Sequence, residues 1–393
     1  MTTPAASVLP GVAAGPRRLN RSVGPVAAAP RFTLDGGDAL EARLGEVCRQ
    51  VLAGVRGLIP PDRLEAVLLG GGYGRGEGGV LTTPEGERPY NDLEFYVCVR
   101  GNRHLNERRH RLPLAVLGEL LTPMAGVEIE FKLISLEELR RSPVSMFSYD
   151  LVMGHRWLLG HGGLLFGFTA HRLAAAIPAA EATRLLLNRG SGLLFARERL
   201  ERAAFTPDDA DFVQRNLAKA ELALGDAVLA AHGQYHWSCG ERHQRLLGLE
   251  PDGAPSWKEE VRARHATAVA FKLHPWRSPA ARADLQAAHA PLAALAEKVW
   301  LWQEQRRLGL RFATIQDYIA SRADKCPETS RPRNVLVNLK LGTWFRADPG
   351  CHPRDGVLRD LSRLLWDPAP PAPAGPPFSQ RVAAYRARWQ RVN

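Results

Sequence analysis

The chain has 393 residues, of which 45% are hydrophobic, and it carries a formal net charge of +11 at pH 7. This length accommodates two or three domains with sizeable cores, and the lack of an apolar run of about eighteen residues argues against a transmembrane helix. The charge makes nucleic acid a possible partner but does not favour it, because only seven of the 52 basic residues are lysine and the arginines are dispersed outside ERRHR at 107–111.

Neither the amino terminus nor the cysteines indicate export. Residues 1–30 are rich in alanine, proline and valine, without a basic segment followed by an apolar core, and they predict a disordered tail rather than a secretory signal. The five cysteines lie at scattered positions without a CxxC pair, which is typical of free thiols in a reducing compartment. We therefore expect a cytoplasmic protein with no membrane partner.

The first part of the chain predicts alternating helices and strands. Helical spacing of apolar residues and short alternating runs identify the elements, and proline and turn residues separate them. In chain order they are a helix over 36–59, a strand at 64–70, a turn segment at 82–91, a strand at 92–99, a helix over 106–124 with a break or kink at Pro113, a strand at 127–134 and a short helix that Ser135 caps.

From Tyr149 onward the sequence predicts helices almost throughout, the longest over 177–203, 207–233, 257–273 and 285–309. A proline-rich stretch at 368–377 predicts a stiff linker, and the last fifteen residues predict a basic amphipathic helix. The chain therefore divides into a disordered tail at 1–30, a small α/β region at 31–145, a helical region at 146–367, and a linker with a C-terminal helix at 368–393.

A glycine-rich loop follows the first predicted strand. Residues 68–80 read LLGGGYGRGEGGV, and seven of the thirteen are glycine. A dinucleotide site is excluded although 74–79 satisfies GxGxxG, because the following LTTPEGERPY cannot form the required helix. A Walker loop is excluded because it requires GK[ST], and the first lysine of the chain is Lys132.

Paired carboxylates follow the loop on the next two predicted strands. Strand alternation places Asp92 and Glu94 on one face, and Glu128 and Glu130 repeat this pattern. Carboxylates on one face repel each other unless a cation lies between them, and Mg²⁺ prefers such oxygen ligands together with water and substrate phosphates. If the strands are neighbours, at least three acids converge beside a loop whose backbone amides can hold phosphates.

The combination of GGYGRGEG with NDLEFYV, within about residues 64–135, resembles the nucleotidyltransferase superfamily that includes DNA polymerase beta, aminoglycoside nucleotidyltransferases and minimal nucleotidyltransferases. The resemblance implies an α/β nucleotidyltransferase-like domain, a small mixed sheet with helices, at 31–145, followed by a larger all-helical domain. Asn91 departs from the pattern, since serine is common there, and the stretch before Asp92 is longer than in the smallest members.

The resemblance implies a site role for each residue of this chain that matches the pattern of the superfamily. The implied metal ligands and catalytic acids are Asp92, Glu94 and Glu130, with Glu128 as the alternative third acid. The implied cofactor-binding residues are Gly71, Gly72, Tyr73, Arg75 and Glu77. A looser match, KAELALGDAVLAAHGQYHWS, resembles the lysine helix of the helical domains and adds Lys219 as a phosphate contact.

The resemblance implies that Mg²⁺ supports transfer of a nucleoside monophosphate from a nucleoside triphosphate, ATP being expected, to an acceptor hydroxyl, with release of pyrophosphate. The acceptor stays open among a sugar, an antibiotic, a protein side chain and an RNA end. The alternative is a non-catalytic module of the same fold that binds a nucleotide or a partner.

Structural interpretations stand beside the functional ones. Arg75 and Glu77 can pair with each other to shape the turn, and the NRGSG stretch at 188–192 predicts a helix irregularity near the cleft. Four further side chains have spacing that could suit zinc, but without the familiar paired cysteines: His232, His236, Cys239 and His243.

Overall fold

The computed structural model describes residues 31–277, 280–343, 348–367 and 375–392. The predicted tail at 1–30 and most of the predicted linker, 368–374, lie outside the described residues. From Arg31 onward the chain forms one unit in which a small mixed sheet with helices precedes a helical region.

A four-stranded sheet organises the first region. The strands of the chain are β1 (Leu64–Leu69), β2 (Val80–Thr83), β3 (Gly86–Pro89), β4 (Leu93–Val99), β5 (Ile129–Ile134) and β6 (Arg156–Leu159). The order in the main sheet is β5-β4-β1-β6, with β1 antiparallel to both of its neighbours and β4 parallel to β5. The three predicted strands are therefore confirmed, and they are the first three strands of that order.

Two strand features differ from the sequence prediction. The segment predicted as turns at 82–91 contributes β3 and the end of β2, which form a separate hairpin. β6 lies in the stretch predicted to be helical and extends the sheet past residue 145. Both features depend on pairing with a partner strand rather than on a local alternating pattern, so no local pattern predicts them.

Helices cover both faces of the sheet. They are α1 (Asp38–Leu58), α2 (Gly71–Arg75), α3 (Arg103–Ala125), α4 (Leu136–Arg141) and α5 (Met146–Met153). One face of β4, including Phe95 and Val97, packs against α1 and α3. The other face, including Tyr96 and Cys98, packs against α4 and α5. The alternation of β4 thus decides which side chains face the helices that flank the site.

Two local predictions about these helices have different outcomes. Ser135 caps α4 as predicted, because its hydroxyl accepts a hydrogen bond from the Glu138 N–H at 3.3 Å. The predicted break at Pro113 is not seen, since α3 runs continuously through both Pro113 and Pro123.

The helical region contains α6 (Ala179–Leu200), α7 (Pro207–Ala231), α8 (Cys239–Gly248), α9 (Lys258–Leu273), α10 (Arg282–Leu308), α11 (Ile315–Ala320), α12 (Arg331–Leu341), α13 (Arg354–Leu365) and α14 (Phe378–Val392). The irregularity predicted at 188–192 is not present, because α6 is continuous there. A Cβ on Gly192 would lie 2.4 Å from the Asn216 side chain, so this glycine allows α6 and α7 to approach closely.

All five cysteines are free thiols, in agreement with their spacing. Across the described residues, no helix combines the length and the apolar character needed to cross a membrane.

A buried carboxylate joins three helices of the second region. The Glu304 side chain is fully buried in α10. It accepts hydrogen bonds from Thr183 Oγ1 of α6 at 2.6 Å, from the Tyr318 hydroxyl of α11 at 2.9 Å and from the Arg307 guanidinium at 2.7 and 2.9 Å. Each carboxylate oxygen is therefore satisfied, and the buried Arg307 has its counter-charge.

Glu304→Ala should destabilise the fold by about 3–5 kcal/mol, because it removes the buried counter-charge of Arg307, whose other acidic partner, Glu328, is exposed, and it removes the acceptor of the Thr183 and Tyr318 hydroxyls. The matched control is Glu241→Ala, which removes an exposed i,i+4 partner of Arg245 and should cost less than about 1 kcal/mol. Thermal denaturation followed by circular dichroism measures both changes. Equal shifts in the two variants would contradict the role assigned to Glu304.

Candidate functional site

The glycine loop closes tightly onto the site. β1 ends at Leu69 and the short helix α2 begins at Gly71, whose φ of +60° is a conformation that favours glycine. A Cβ on Gly71 would lie 3.1 Å from Glu94 Oε2, and a Cβ on Gly72 would lie 2.9 Å from the Glu77 carbonyl oxygen. The glycines therefore bring the first amides of α2, which have no partner within the helix, next to an acid of β4.

Tyr73 shapes this loop from inside the protein. Its side chain is buried, and its hydroxyl donates to the Gly79 carbonyl at 2.8 Å and accepts from the Tyr90 N–H at 2.9 Å. Burial raises the pKa of Tyr73 to about 12. Tyr73 was predicted to contact the cofactor. The structure places its side chain where it links Gly79, at the end of the glycine loop, to Tyr90, after β3.

Glu77 links the loop to the helical region. Its carboxylate accepts a hydrogen bond from Ser238 Oγ at 2.5 Å and from the Cys239 N–H at 2.9 Å, at the amino terminus of α8. Burial alone would raise the pKa of Glu77, but these hydrogen bonds lower it below its usual value. A buried carboxylate at a helix amino terminus is stabilised by the helix dipole, so Glu77 caps α8 across the two regions.

Arg75 braces the loop on a different acid. Its guanidinium lies 3.4 Å from Asp150 Oδ2 of α5, and the same oxygen accepts a hydrogen bond from the Tyr235 hydroxyl at 3.2 Å. Arg75, predicted as a cofactor-binding residue, thus holds the loop to an acid of α5 in this structure. Arg75 and Glu77 take separate partners instead of forming the ion pair that was also considered.

Three acids converge next to the loop. Asp92, Glu94 and Glu130 each offer a carboxylate oxygen, and these oxygens lie within 4.8 Å of one another. Glu94 and Glu130 are direct partners in the parallel register of β4 and β5. Burial raises the pKa of Asp92, and the negative charges of Glu94 and Glu130 raise it further. The group therefore has the oxygen ligands and the mutual repulsion expected of a cation site.

The two candidates for the third acid, Glu128 just before β5 and Glu130 within it, lie at different positions. Glu130 belongs to the acidic group, whereas Glu128 lines the cavity beside it. The preference for Glu130 as the third acid agrees with this placement.

Lys132 is the site residue that the sequence analysis did not assign. Its ammonium lies 2.7 Å from Glu94 Oε1 and 3.1 Å from Glu130 Oε2. Burial alone would lower the pKa of Lys132, but the hydrogen bond to Glu94 and the neighbouring negative charges raise it above its usual value. Side chains alternate between the two faces of a strand, so Lys132 lies on the same face as Glu130. The alternation therefore already indicated that Lys132 belongs to the site.

A cavity of about 480 Å³ lies between the acids and the helical region. Asp92 and Glu128 line one side of it, and five cationic side chains line it as well: Arg189, Arg215, Lys219, Lys272 and Arg277. Lys219 of α7 is thus at the cavity as predicted. The other four were missed because they come from α6, α7, α9 and the segment after α9, without a local motif.

These cations repel one another in a partly buried space. Burial lowers the pKa of Lys219, and the charges of Arg189 and Arg215 lower it further. Burial also lowers the pKa of Lys272, with a further contribution from Arg75. A polyanion in this cavity would relieve the repulsion.

The cavity also has an aromatic wall. Tyr90 and Phe271 line it, and their rings meet edge to face with centroids 6.1 Å apart. Flat apolar groups pack favourably on such rings. The cavity can therefore take a ligand that combines a charged part with a flat part.

The zinc interpretation finds no support at the four residues with suitable spacing. Cys239 lies beside the Glu77 carboxylate, and His243 Nδ1 lies 3.2 Å from His265 Nδ1. Within the described ranges, the acids of β4 and β5 form the group whose ligand atoms converge, and His232 and His236 are not part of it.

Comparison of the chain with protein-family models, with curated proteins and with solved structures finds no match. The chemistry of the site is therefore inferred from its own residues, which are three convergent acids, one lysine between two of them, and a cavity with five cations.

Proposed function

We propose that the protein is a Mg²⁺-dependent nucleotidyltransferase, which moves a nucleoside monophosphate from a nucleoside triphosphate to an acceptor hydroxyl and releases pyrophosphate. One observation carries the proposal: three convergent carboxylates, Asp92, Glu94 and Glu130, lie beside a cavity lined by five cations. Acids on one side and cations on the other suit a ligand that is both a polyanion and a metal chelator, as a nucleoside triphosphate is.

The acidic group fits Mg²⁺ by its donor chemistry. Asp92, Glu94 and Glu130 are hard oxygen ligands, and the raised pKa of Asp92 reflects repulsion that a cation would relieve. When bound, Mg²⁺ supplies charge neutralisation and orientation of the phosphates. Lys132 is 36% exposed and lines a second cavity on its other side, so its side chain has space to withdraw from Glu94.

The cations of the cavity bind and orient the triphosphate. Lys219 and Arg215 of α7 are near Asp92, and Arg189, Lys272 and Arg277 extend the positive surface. Charge-assisted hydrogen bonds to phosphate oxygens are stronger than neutral ones. Donors fixed in a partly buried site also stabilise the charge that develops on the departing pyrophosphate. Tyr90 and Phe271 provide the wall against which the base packs.

In the proposed reaction, Glu130 accepts the proton of the acceptor hydroxyl. As that oxygen forms its bond to the α-phosphorus, the bond from the α-phosphorus to the bridging oxygen breaks and pyrophosphate leaves. Asp92 and Glu94 would hold Mg²⁺ beside Glu130. The backbone at Gly71 passes close to this group, since a Cβ on Gly71 would lie 3.1 Å from Glu94 Oε2.

One observation favours a second function, a nucleotide-binding module without transfer. The Lys132 ammonium already contacts both Glu94 and Glu130 and offsets part of their negative charge without a metal. In that case the cavity binds a nucleotide and no chemistry follows.

The test of the proposed function is transfer of label. The protein is incubated with Mg²⁺, cell extract and each α-labelled nucleoside triphosphate in turn, with ATP expected to be the donor. Asp92→Asn is the inactive control, and its apo form should be slightly more stable because one charge of a repelling group is removed. Transfer by the wild type that is lost in Asp92→Asn supports the enzyme, whereas nucleotide binding without transfer supports the module.

Glu130→Gln should lower the rate of transfer by about 10²–10⁴-fold, because it removes the group that accepts the proton. Glu128→Gln is the matched control, since it makes the same change two residues earlier on the same face of the sheet. Single-turnover kinetics with saturating nucleotide measure both rates. A larger loss in Glu128→Gln than in Glu130→Gln would exchange the roles of these acids.

Lys219→Met should weaken nucleoside triphosphate binding by roughly ten- to a hundredfold, since a charge-assisted hydrogen bond contributes about 1.5–3 kcal/mol. The control Lys298→Met makes the same change at an exposed position of α10. Isothermal titration calorimetry in the presence of EDTA measures the phosphate contribution separately from the metal. Unchanged affinity in Lys219→Met would remove this lysine from the site.

Lys132→Met should raise the affinity for Mg²⁺ and lower the stability of the metal-free protein, because it removes the cation that now balances Glu94 and Glu130. Calorimetric titration with Mg²⁺ and a thermal melt in EDTA measure the two effects. If Mg²⁺ affinity falls instead, Lys132 helps to hold the metal site in shape and does not compete with the ion.

A further inference from the structure

A second cavity, of about 900 Å³, lies beside β5. Lys132 lines this cavity and also contacts Glu94 and Glu130, so this cavity reaches one side of the acidic group while the first cavity reaches Asp92. The walls of the second cavity come from the first half of α3, from β5 and from the segment between Ser135 and Phe147. A transferase needs room for two substrates, and the first cavity already has the chemistry of the nucleotide site.

The lining shows that this cavity follows the edge of the strand. Five consecutive residues, 131–135, line it. Because successive side chains of a strand point to opposite faces, consecutive residues share one cavity only where it runs along the strand edge. β5 is the outer strand of the sheet in the described part of the chain, with β4 as its one neighbour.

The register identifies the backbone groups at that edge. The Leu93 N–H donates to the Glu128 carbonyl at 2.8 Å. In a parallel ladder with this register, the N–H and C=O groups of Glu130 and Lys132 point toward β4. The intervening residues Phe131 and Leu133 therefore direct their N–H and C=O groups outward, into the cavity. Such groups at a strand edge are a template for an added strand.

Helix α3 covers only the beginning of this edge. The Ile129 N–H donates to Thr122 Oγ1 at 3.2 Å, and a Cβ on Gly118 would lie 2.5 Å from the Ile129 carbonyl oxygen. From Phe131 onward the helix diverges and the cavity opens. The open stretch therefore begins one residue after Glu130.

The charge of the cavity wall indicates what kind of strand it accepts. Arg103, His104 and Arg111 line it from α3, and Arg111 belongs to the one arginine-rich run of the chain, at 107–111. Two acids, Glu107 and Glu138, line the same cavity. The Glu107 carboxylate lies 3.9 Å from Arg103, which leaves Arg111 as the cation of α3 at the cavity that has no acid within ion-pair distance in the described part of the chain. Acidic side chains beside the added strand would be attracted to Arg111.

We propose that the acceptor is a protein, bound as an extended acidic segment that adds to the edge of β5 and presents a serine, threonine or tyrosine hydroxyl toward Glu130. This proposal rests on the proposed function and names its acceptor. The hydroxyl oxygen forms a phosphodiester with the nucleoside monophosphate, the proton passes to Glu130, and pyrophosphate leaves.

The other acceptors considered fit this cavity less well. A polycationic antibiotic would face arginine side chains at α3, and the outward peptide groups of Phe131 and Leu133 match the repeat of a polypeptide rather than that of a sugar or an RNA end. These acceptors become outcomes of the test.

Binding is measured first, without nucleotide or Mg²⁺, by fluorescence anisotropy of a labelled glutamate–tyrosine copolymer at physiological salt. A lysine–tyrosine copolymer and a single-stranded RNA are the comparison probes. Arg111→Glu should weaken binding of the glutamate–tyrosine copolymer at least tenfold. Arg109→Glu is the matched control, because it makes the same charge change on the opposite side of α3 and does not line the cavity.

A second pair of variants tests the strand edge itself. Phe131→Pro removes an outward N–H while leaving the ladder to β4, as proline does on an edge strand. Phe131→Ala loses the same ring but keeps the N–H. We expect weaker copolymer binding in Phe131→Pro than in Phe131→Ala. Should Phe131→Pro fail to fold in a thermal melt, the Arg111 and Arg109 variants still decide the outcome.

Transfer of label from the α-labelled nucleotide to the bound copolymer is then measured in Mg²⁺. Equal binding of both copolymers, preference for RNA, or equal effects of Arg111→Glu and Arg109→Glu would each overturn the proposed acceptor. Label transfer to a different acceptor would overturn it as well, and would leave the nucleotidyltransferase in place. Copolymer binding at β5 with no transfer to any acceptor would instead contradict the enzyme.

Discussion

The parallel register of β4 and β5 places the Glu94 carboxylate directly opposite that of Glu130 on a partly buried face. The surrounding site depends on how the repulsion between these two negative charges is offset. Asp92 adds a third carboxylate at the end of the strand, and its pKa is raised as a result. Lys132, two residues after Glu130, supplies the counter-charge within the chain. A shift of one residue in this register would turn the acids of one strand into the apolar core, so the hydrophobic packing of α1 and α3 keeps the charged face in place.

The loop beside these acids takes its shape from the helical region as much as from its own glycines. Glu77 caps α8, and Arg75 reaches Asp150, which in turn accepts a hydrogen bond from Tyr235. Tyr235 also accepts from Arg242, which is paired with Asp226 at the wall of the first cavity. The loop and the cavity wall are thus joined by one continuous polar network. A change in the packing of α7 against α8 would therefore alter the position of the glycine loop.

Local patterns were sufficient for the central part of the fold. Alternation and apolar runs predicted β1, β4 and β5, and the same alternation placed Glu94 and Glu130 on one face. The hairpin of β2 and β3 and the outer strand β6 were missed because their stability comes from partner strands. Gly190 and Gly192 were interpreted as part of a helix distortion, whereas Gly192 allows the close approach of α6 and α7. The cations of the cavity, apart from Lys219, could not be predicted, since only tertiary packing brings Arg189 and Lys272 together.

The position of Lys132 affects the stability of the protein when neither a ligand nor an ion is bound. Because the ammonium offsets part of the negative charge of Glu94 and Glu130 from within the chain, these acids have a counter-charge without an ion, unlike domains in which metal binding and folding are one event. A chelating agent should therefore leave the fold intact. If the Lys132 side chain withdraws from the acids, its positive charge moves into the cavity beside β5. A ligand bound at the acids would therefore change the electrostatic potential that a second ligand meets in that cavity.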